Sequence, residues 1–194
     1  MSHAFDQLSE ISREFEYKSG SLSDPWIGSP FQWLLAIPSR SKGAYGEKFV
    51  SELFRVNGFT VLKPISGTDH DRVIEGHRIE IKLSTVWSKA PIFKFQQIRD
   101  QAYDYVLCIG ISPHSASCWV IPKWELNVDK EGVAHQHGGV KGLDTMWLSF
   151  ESARPPSWMH KYGGDLEDGI AFMRSLGTGD YSGKRLPAAD IVLP

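Results

Sequence analysis

The sequence predicts an α/β fold in which helices flank a mixed β-sheet. Three observations favour this class. Apolar residues recur at helical spacing in one segment, alternate at period two in others, and form the continuous run YVLCIGI at 105–111, which is typical of a buried strand. The 194 residues suit one domain, and 41% hydrophobic with 23% charged content is ordinary for a globular protein.

Each element can be assigned in chain order. Residues 1–20 are predicted to form an amphipathic helix, followed by the Ser-, Pro- and Gly-rich loop SGSLSDPWIGSP. A short apolar segment over 31–37 ends at Pro38. Residues 43–57 carry an apolar helical stripe that Gly58 terminates. We then expect strands over 59–62, 71–75 and 77–84, a helix over 95–104, strands over 105–111, 117–121 and 146–150, and a helix over 166–176.

This order predicts a single domain over 1–194 with three parts: an N-terminal helical extension (1–42), a core (43–122) and a C-terminal elaboration (123–194). Residues 40–99 carry a net charge of +5 and the rest of the chain −7, so a polyanionic partner could meet one surface. No apolar run is long enough to span a membrane, and MSHAFDQLSE shows no secretory signal. Two cysteines make neither a disulfide framework nor a zinc site, and we expect a cytoplasmic protein.

The segment DHDRVIEGHRIEIKLS, residues 69–84, carries the most information about chemistry. In RIEIKL, isoleucines alternate with charged residues, so Glu80 and Lys82 share the polar face of a strand. If Glu75 and Gly76 form the centre of a hairpin turn, paired residue numbers sum to 151. Asp71 then lies opposite Glu80, with Cβ atoms about 5 Å apart.

Two opposed carboxylates repel each other, and a divalent cation relieves that repulsion. A site made only of oxygen ligands suits Mg²⁺, which can neutralise a phosphate and lower the pKa of a bound water. Lys82 points the same way and could orient that water and stabilise a pentacoordinate phosphorus. The alternative is a surface hairpin whose charges only form Lys–carboxylate pairs. His135 and His137 could bind a metal, but a Gly-rich loop without a cysteine favours solvated side chains.

Residues 43–122 resemble the PD-(D/E)XK nuclease superfamily, above all its restriction-endonuclease-like members. The resemblance implies an αβββαβ core in which Asp71, Glu80 and Lys82 are catalytic. It adds Glu47 on the first core helix and Gln97 on the helix after the E-x-K strand, with Gln96 as second choice. His70 stands where the motif has proline, and Asp69 is a rival for the role of Asp71. The implied cofactor is Mg²⁺, with Mn²⁺ as a possible substitute, and the implied metal site consists of Asp71, Glu80, Ile81 and Glu47.

The function implied is that of a type II restriction endonuclease, a homodimer that cuts double-stranded DNA at a specific sequence. Specificity is expected from residues 123–194, and candidate DNA contacts are Lys89, Lys94, Arg99, Lys123 and Lys141. Three alternatives remain open. They are a repair, recombination or mobile-element nuclease of the same fold, a DNA-binding protein without catalysis, and an unrelated α/β protein.

Overall fold

A computed structural model describes residues 25–64, 67–86, 90–136 and 145–179, and the backbone of 191–192. Short 3₁₀ helices lie at Gln32–Ala36, Lys123–Glu125 and Ser157–Tyr162. The other elements of these residues are α1 (Ser39–Val56), β1 (Val61–Pro64), β2 (Arg72–Ile74), β3 (His77–Thr85), β4 (Ile92–Arg99), β5 (Tyr105–Ser112), β6 (Ser115–Pro122), β7 (Val133–His135), β8 (Thr145–Glu151), β9 (Gly163–Asp165), α2 (Leu166–Ser175) and β10 (Ile191–Val192).

The strands of the described residues form two sheets. The larger has the order β10-β1-β2-β3-β5-β6-β9, and the smaller has the order β4-β8-β7. In the larger sheet β3 pairs with β5 in parallel, whereas β3 pairs with β2 and β5 with β6 in antiparallel fashion. The prediction of an α/β fold with a mixed sheet is therefore confirmed, and α1 packs against β3 while α2 packs against β6 and β9.

The hairpin of β2 and β3 has the predicted register. Its paired residues, such as Arg72 with Ile79 and Ile74 with His77, have numbers that sum to 151. Glu75 and Gly76 form the turn with φ of 47° and 79°, the positive values at both central positions that a type I′ turn requires.

The helix predicted over 95–104 is wrong. Its first half, residues 95–99, belongs to β4, which pairs with β8 in the second sheet, and residues 100–104 connect β4 to β5. Phe93, Phe95 and Ile98 face the core, and a bulge between Phe95 and Ile98 inserts one residue. The bulge changes the alternation of a strand into the i, i+3 spacing of Phe95 and Ile98, which imitates a helix. The observed order therefore departs from the αβββαβ core that the family resemblance implied.

Two glycines allow close packing, one of α1 on the larger sheet and one of the larger sheet against β4. A Cβ on Gly46 of α1 would lie 2.8 Å from the Cβ of Leu83 on β3, so the helix backbone rests almost directly on the strand. A Cβ on Gly110 of β5 would lie 2.7 Å from the ring of Phe93, which stacks β4 over the larger sheet. Because Gly110 pairs with Ser84 in the sheet, β4 covers the face of β3 opposite to α1.

The remaining predictions can be checked in the same way. The first core helix begins at Ser39 rather than 43, and the strands and helix predicted over 117–121, 146–150 and 166–176 are found as β6, β8 and α2. The predicted strand at 59–62 lies instead at Val61–Pro64, and the apolar segment 31–37 contains a 3₁₀ helix. The helix predicted over 1–20 lies outside the described residues. Within those residues, no helix has the length and apolarity needed to cross a membrane.

A buried carboxylate joins separate segments of the C-terminal part to one another. Glu125 is 2% exposed and accepts hydrogen bonds from Lys161 Nζ at 2.9 Å and Tyr162 Oη at 2.6 Å. Lys130 Nζ lies 2.5 Å from its other oxygen. These hydrogen bonds lower the pKa of Glu125 to about 2.

Candidate active site

The site lies at an open edge of β3. Only its residues His77–Ile79 pair with β2, although β3 continues to Thr85. From Glu80 onward no described strand pairs with this edge, while the other edge is bonded to β5. The Asp71 backbone N–H donates to the Ile79 carbonyl at 2.9 Å, and its Oδ2 accepts the Ile81 N–H at 2.7 Å. The Asp71 carboxylate therefore takes the place of a strand at this edge.

Glu80 and Lys82 lie together next to that carboxylate. Lys82 Nζ is 2.6 Å from Glu80 Oε1, and Glu80 is only 8% exposed. Burial raises the pKa of Glu80, the ammonium of Lys82 opposes the rise, and the negative charges of Asp71 and Glu47 add to it. The structure therefore brings Glu80 and Lys82 into contact and places Asp71 within electrostatic range of Glu80.

Glu47 reaches the same place from α1. Its Oε2 accepts a hydrogen bond of 2.9 Å from the buried guanidinium of Arg72, which also donates to Ser51 Oγ at 2.8 Å. Burial and the neighbouring Asp71 charge raise the pKa of Glu47, and Arg72 opposes that rise. Glu47 thus contributes negative charge to the site while Arg72 holds its carboxylate.

The donor set fits a hard divalent cation. Mg²⁺ prefers oxygen ligands and keeps several of its waters, so one or two carboxylates suffice. Asp71 and Glu80 provide two, and Ile81 can offer only its backbone carbonyl. Because the Ile81 N–H points to the open edge, its carbonyl points there too. Among the described residues no three His, Cys, Asp or Glu side chains are close enough to form a metal cluster, so Glu47 is not a ready third ligand.

A cleft of about 750 Å³ extends from the site along the open edge of β3. Its lining includes every residue from Ile81 to Val86, as expected of a cleft that follows a strand edge. Gln96 and Gln97 both line the cleft because the bulge, where Gln97 has a φ of 56°, turns neighbouring side chains to one side. Gln97 thus lines the same cleft as Lys82, but from a strand and not from the predicted helix, and its N–H donates to Gln136 Oε1 at 2.7 Å.

The cleft also contains cations that sequence reasoning missed. Arg40 and Lys42, in the first turn of α1, line it together with Lys82 and Lys94. The signal was their place in the basic segment 40–99, just before the predicted helix. Only the fold brings that turn against the end of β3.

The other predicted DNA contacts differ in their surroundings. Lys94 lies in the cleft with Nζ 3.4 Å from the centre of the Trp147 ring, and Arg99 is exposed. Lys123 Nζ is 2.6 Å from Asp100 Oδ1 and donates to the Gln101 carbonyl, so its charge is already neutralised. Lys89 and Lys141 lie outside the described residues.

Two alternatives to the predicted site can also be located. Asp69, the rival of Asp71, is exposed and accepts a hydrogen bond of 3.4 Å from the side chain of Gln101. Among the described residues it makes no hydrogen bond with β3, whereas Asp71 does, which favours Asp71. His135 is exposed on β7, and His137 lies outside the described residues.

Comparisons with known proteins add little to these observations. No family model matches the sequence, and no curated protein matches it either. Among solved structures, the chain is similar to the bacterial homing endonuclease I-Ssp6803I, with 12% sequence identity and a TM-score of 0.46. The similarity covers 72% of this chain and 94% of that one. A likeness this distant bears on neither activity nor substrate, so the functional conclusion depends on the residues of the site.

Proposed function

We propose that the protein is a divalent-metal-dependent endonuclease that hydrolyses phosphodiester bonds in DNA. The observation that carries this proposal is the placement of Asp71, Glu80 and Lys82 around one point at the open edge of β3. Two carboxylates, next to an ammonium that lines a basic cleft, suit a hard cation and an anionic substrate.

Each side chain has a distinct task in this reaction. Asp71 and Glu80, with the carbonyl of Ile81, would hold Mg²⁺, which supplies Lewis-acid chemistry at the phosphate when bound. Lys82 Nζ lies 2.6 Å from Glu80 Oε1, beside the carboxylates that would hold the cation. Its ammonium would hold the attacking water and stabilise the charge that develops on phosphorus. Glu47, bound by Arg72, holds further negative charge beside Asp71.

The experiment is digestion of supercoiled plasmid with Mg²⁺, with EDTA, and by the Glu80→Ala and Lys82→Ala variants. We expect cleavage by the unchanged protein in Mg²⁺ only, and none by either variant. Lys82→Ala should keep most of its DNA affinity, because the cation and the other basic groups remain. Cleavage at the native rate by Lys82→Ala would remove that residue from the mechanism, and binding without any cleavage would favour a non-catalytic DNA-binding protein.

The finer proposal is a type II restriction endonuclease that acts as a homodimer on double-stranded DNA. Its support is the match of Asp71, Glu80 and Lys82 to the PD-(D/E)XK motif and a chain length suited to a compact enzyme. The departure of β4 from the family's helix counts against a close relation. Discrete fragments with fixed ends and a dimer by analytical ultracentrifugation would support it. Random nicking, or cutting only at branched or nicked DNA, would favour a repair or recombination nuclease instead.

A further inference from the structure

The cleft beside the candidate site has three structural boundaries. Its floor is the open edge of β3 from Ile81 onward, one wall is the first turn of α1, and the other is β4 at its bulge. At about 3.3 Å per residue, the strand from Lys82 to Val86 runs for about 13 Å. Successive phosphates of one DNA strand advance by about 3.4 Å along the helix axis, so the cleft has room for more than one nucleotide.

All the charged side chains in this lining are basic. Arg40, Lys42, Lys82 and Lys94 all border the cleft, and its described lining contains no Asp or Glu. Arg40 is exposed, and neither Arg40 nor Lys42 has an ion pair within the described chain. Several other basic groups are engaged in ion pairs: Arg72 binds Glu47, Arg78 binds Asp104, and Lys123 binds Asp100. Lys82 is paired with Glu80, which does not line the cleft, whereas Arg40, Lys42 and Lys94 have no ion pair within the described chain. Cations that carboxylates leave unpaired along one cleft form a site for a polyanion.

The opposite wall carries polar side chains and one cation, Lys94. Gln96 and Gln97 project from the bulge of β4, and Lys94 is held over the Trp147 ring while its N–H donates to Ser84 Oγ at 2.8 Å. A bulge of this kind is a local strain that sheets tolerate where side chains must be aimed at a site. The wall therefore offers hydrogen-bond donors and adds no negative charge to repel a phosphate.

From this arrangement we propose that the cleft binds the sugar–phosphate backbone of the cleaved strand to one side of the scissile phosphate. Arg40 and Lys42 each bind a different phosphate of this strand and act as positioning residues for the group at Lys82. The proposal rests on the proposed nuclease function and adds the path of the substrate. Contacts to phosphates carry no sequence information, so these residues position the strand and do not read its bases.

The test measures the affinity for a short labelled DNA duplex by fluorescence anisotropy over a series of KCl concentrations. Ca²⁺ replaces Mg²⁺ in order to prevent cleavage. Each phosphate contact contributes about 0.9 to the slope of log K against log salt, so the double variant Arg40→Ala/Lys42→Ala should lower that slope by about 1.8. The matched control is Lys48→Ala, an exposed cation of the same helix that does not line the cleft.

The outcomes separate this inference from the nuclease proposal. A reduced slope in the double variant, an unchanged slope in the control, and recovery in Arg40→Lys/Lys42→Arg support the cleft. A native slope in the double variant, in a protein that cleaves DNA through Glu80 and Lys82, overturns the cleft alone. An unchanged protein that neither binds nor cleaves DNA overturns both.

Discussion

The contact between α1 and β3 gives a prediction with opposite outcomes at two glycines of one helix. Gly43 and Gly46 both lie inside α1, where alanine is favoured over glycine by about 1 kcal/mol. A Cβ on Gly43 would meet nothing within 4 Å, whereas one on Gly46 would lie 2.8 Å from Leu83 Cβ. The second methyl has no space because the atom that it meets is attached directly to the backbone of β3.

The magnitudes follow from these distances. Gly43→Ala should stabilise the protein by about 1 kcal/mol through helix propensity alone. Gly46→Ala makes the same gain but forces the helix off the strand, and overpacking of this kind costs about 1–3 kcal/mol. The two variants should therefore differ in free energy of unfolding by about 1–3 kcal/mol, with Gly46→Ala the less stable.

Urea denaturation monitored by circular dichroism measures that difference, provided the m values agree between the variants. Gly46→Ala should also lose cleavage, because the displaced helix carries Glu47, Arg40 and Lys42 away from the site. Equal stability of the two variants would contradict the close approach of α1 to β3. It would also contradict the position of Glu47, which depends on the same contact of α1 with β3.

Three further predictions concern buried polar groups. Replacing Arg72 by Met leaves the Glu47 carboxylate unpaired and should cost about 2–4 kcal/mol in urea denaturation, somewhat below a fully buried pair because Glu47 is partly exposed; a loss under about 1 kcal/mol would contradict it. The pKa of Glu125 is lowered to about 2. Its ion pairs therefore stabilise the fold fully at pH values above the ordinary pKa of about 4.5, and this stabilisation is lost as the pH falls towards 2. Glu125→Gln should therefore be less stable than the unchanged protein at neutral pH, and its melting temperature should fall less on acidification. Equal falls in melting temperature for the two proteins would refute this. Burial raises the pKa of the Cys108 thiol and raises that of Cys118 to about 12, so both should resist a thiol reagent in the native protein and react on unfolding; rapid native labelling would contradict it.

The register of the hairpin could be predicted because two local signals agree. Isoleucines at alternate positions fix which face of β3 is buried, and Gly76 permits the positive φ that the turn needs. Once the turn is placed, the numbers of paired residues follow, and with them the neighbourhood of Asp71 and Glu80. Both signals lie within sixteen residues of the sequence, so tertiary structure could change them little.

The identity of β4 could not be predicted from the same kind of pattern. Its alternation is interrupted at Gln96 and Gln97, and what remains, Phe95 and Ile98, has the spacing of a helix. A bulge depends on the partner strand, here β8, which lies about fifty residues later in the chain. The sequence near β4 therefore contains the residues of the bulge but not the reason for it.

The basic cleft was missed for a related reason. Arg40 and Lys42 precede the predicted helix and lie about forty residues from Lys82 in sequence. They reach it because Gly46 lets α1 rest on Leu83, a contact that no local pattern indicates. Conversely, Lys123 looked like a free cation, and only the fold shows that Asp100 binds it.

The most direct test of the account is Mn²⁺ binding, followed by electron paramagnetic resonance, in the unchanged protein and in the Asp71→Asn, Glu80→Gln and Asp69→Asn variants. If two carboxylates at the open edge of β3 share one ion, the first two variants should lose most of the binding. Asp69→Asn, which removes a nearby exposed charge, should keep it. Binding that survives in both Asp71→Asn and Glu80→Gln would contradict a metal site at this position and the catalysis proposed to depend on it.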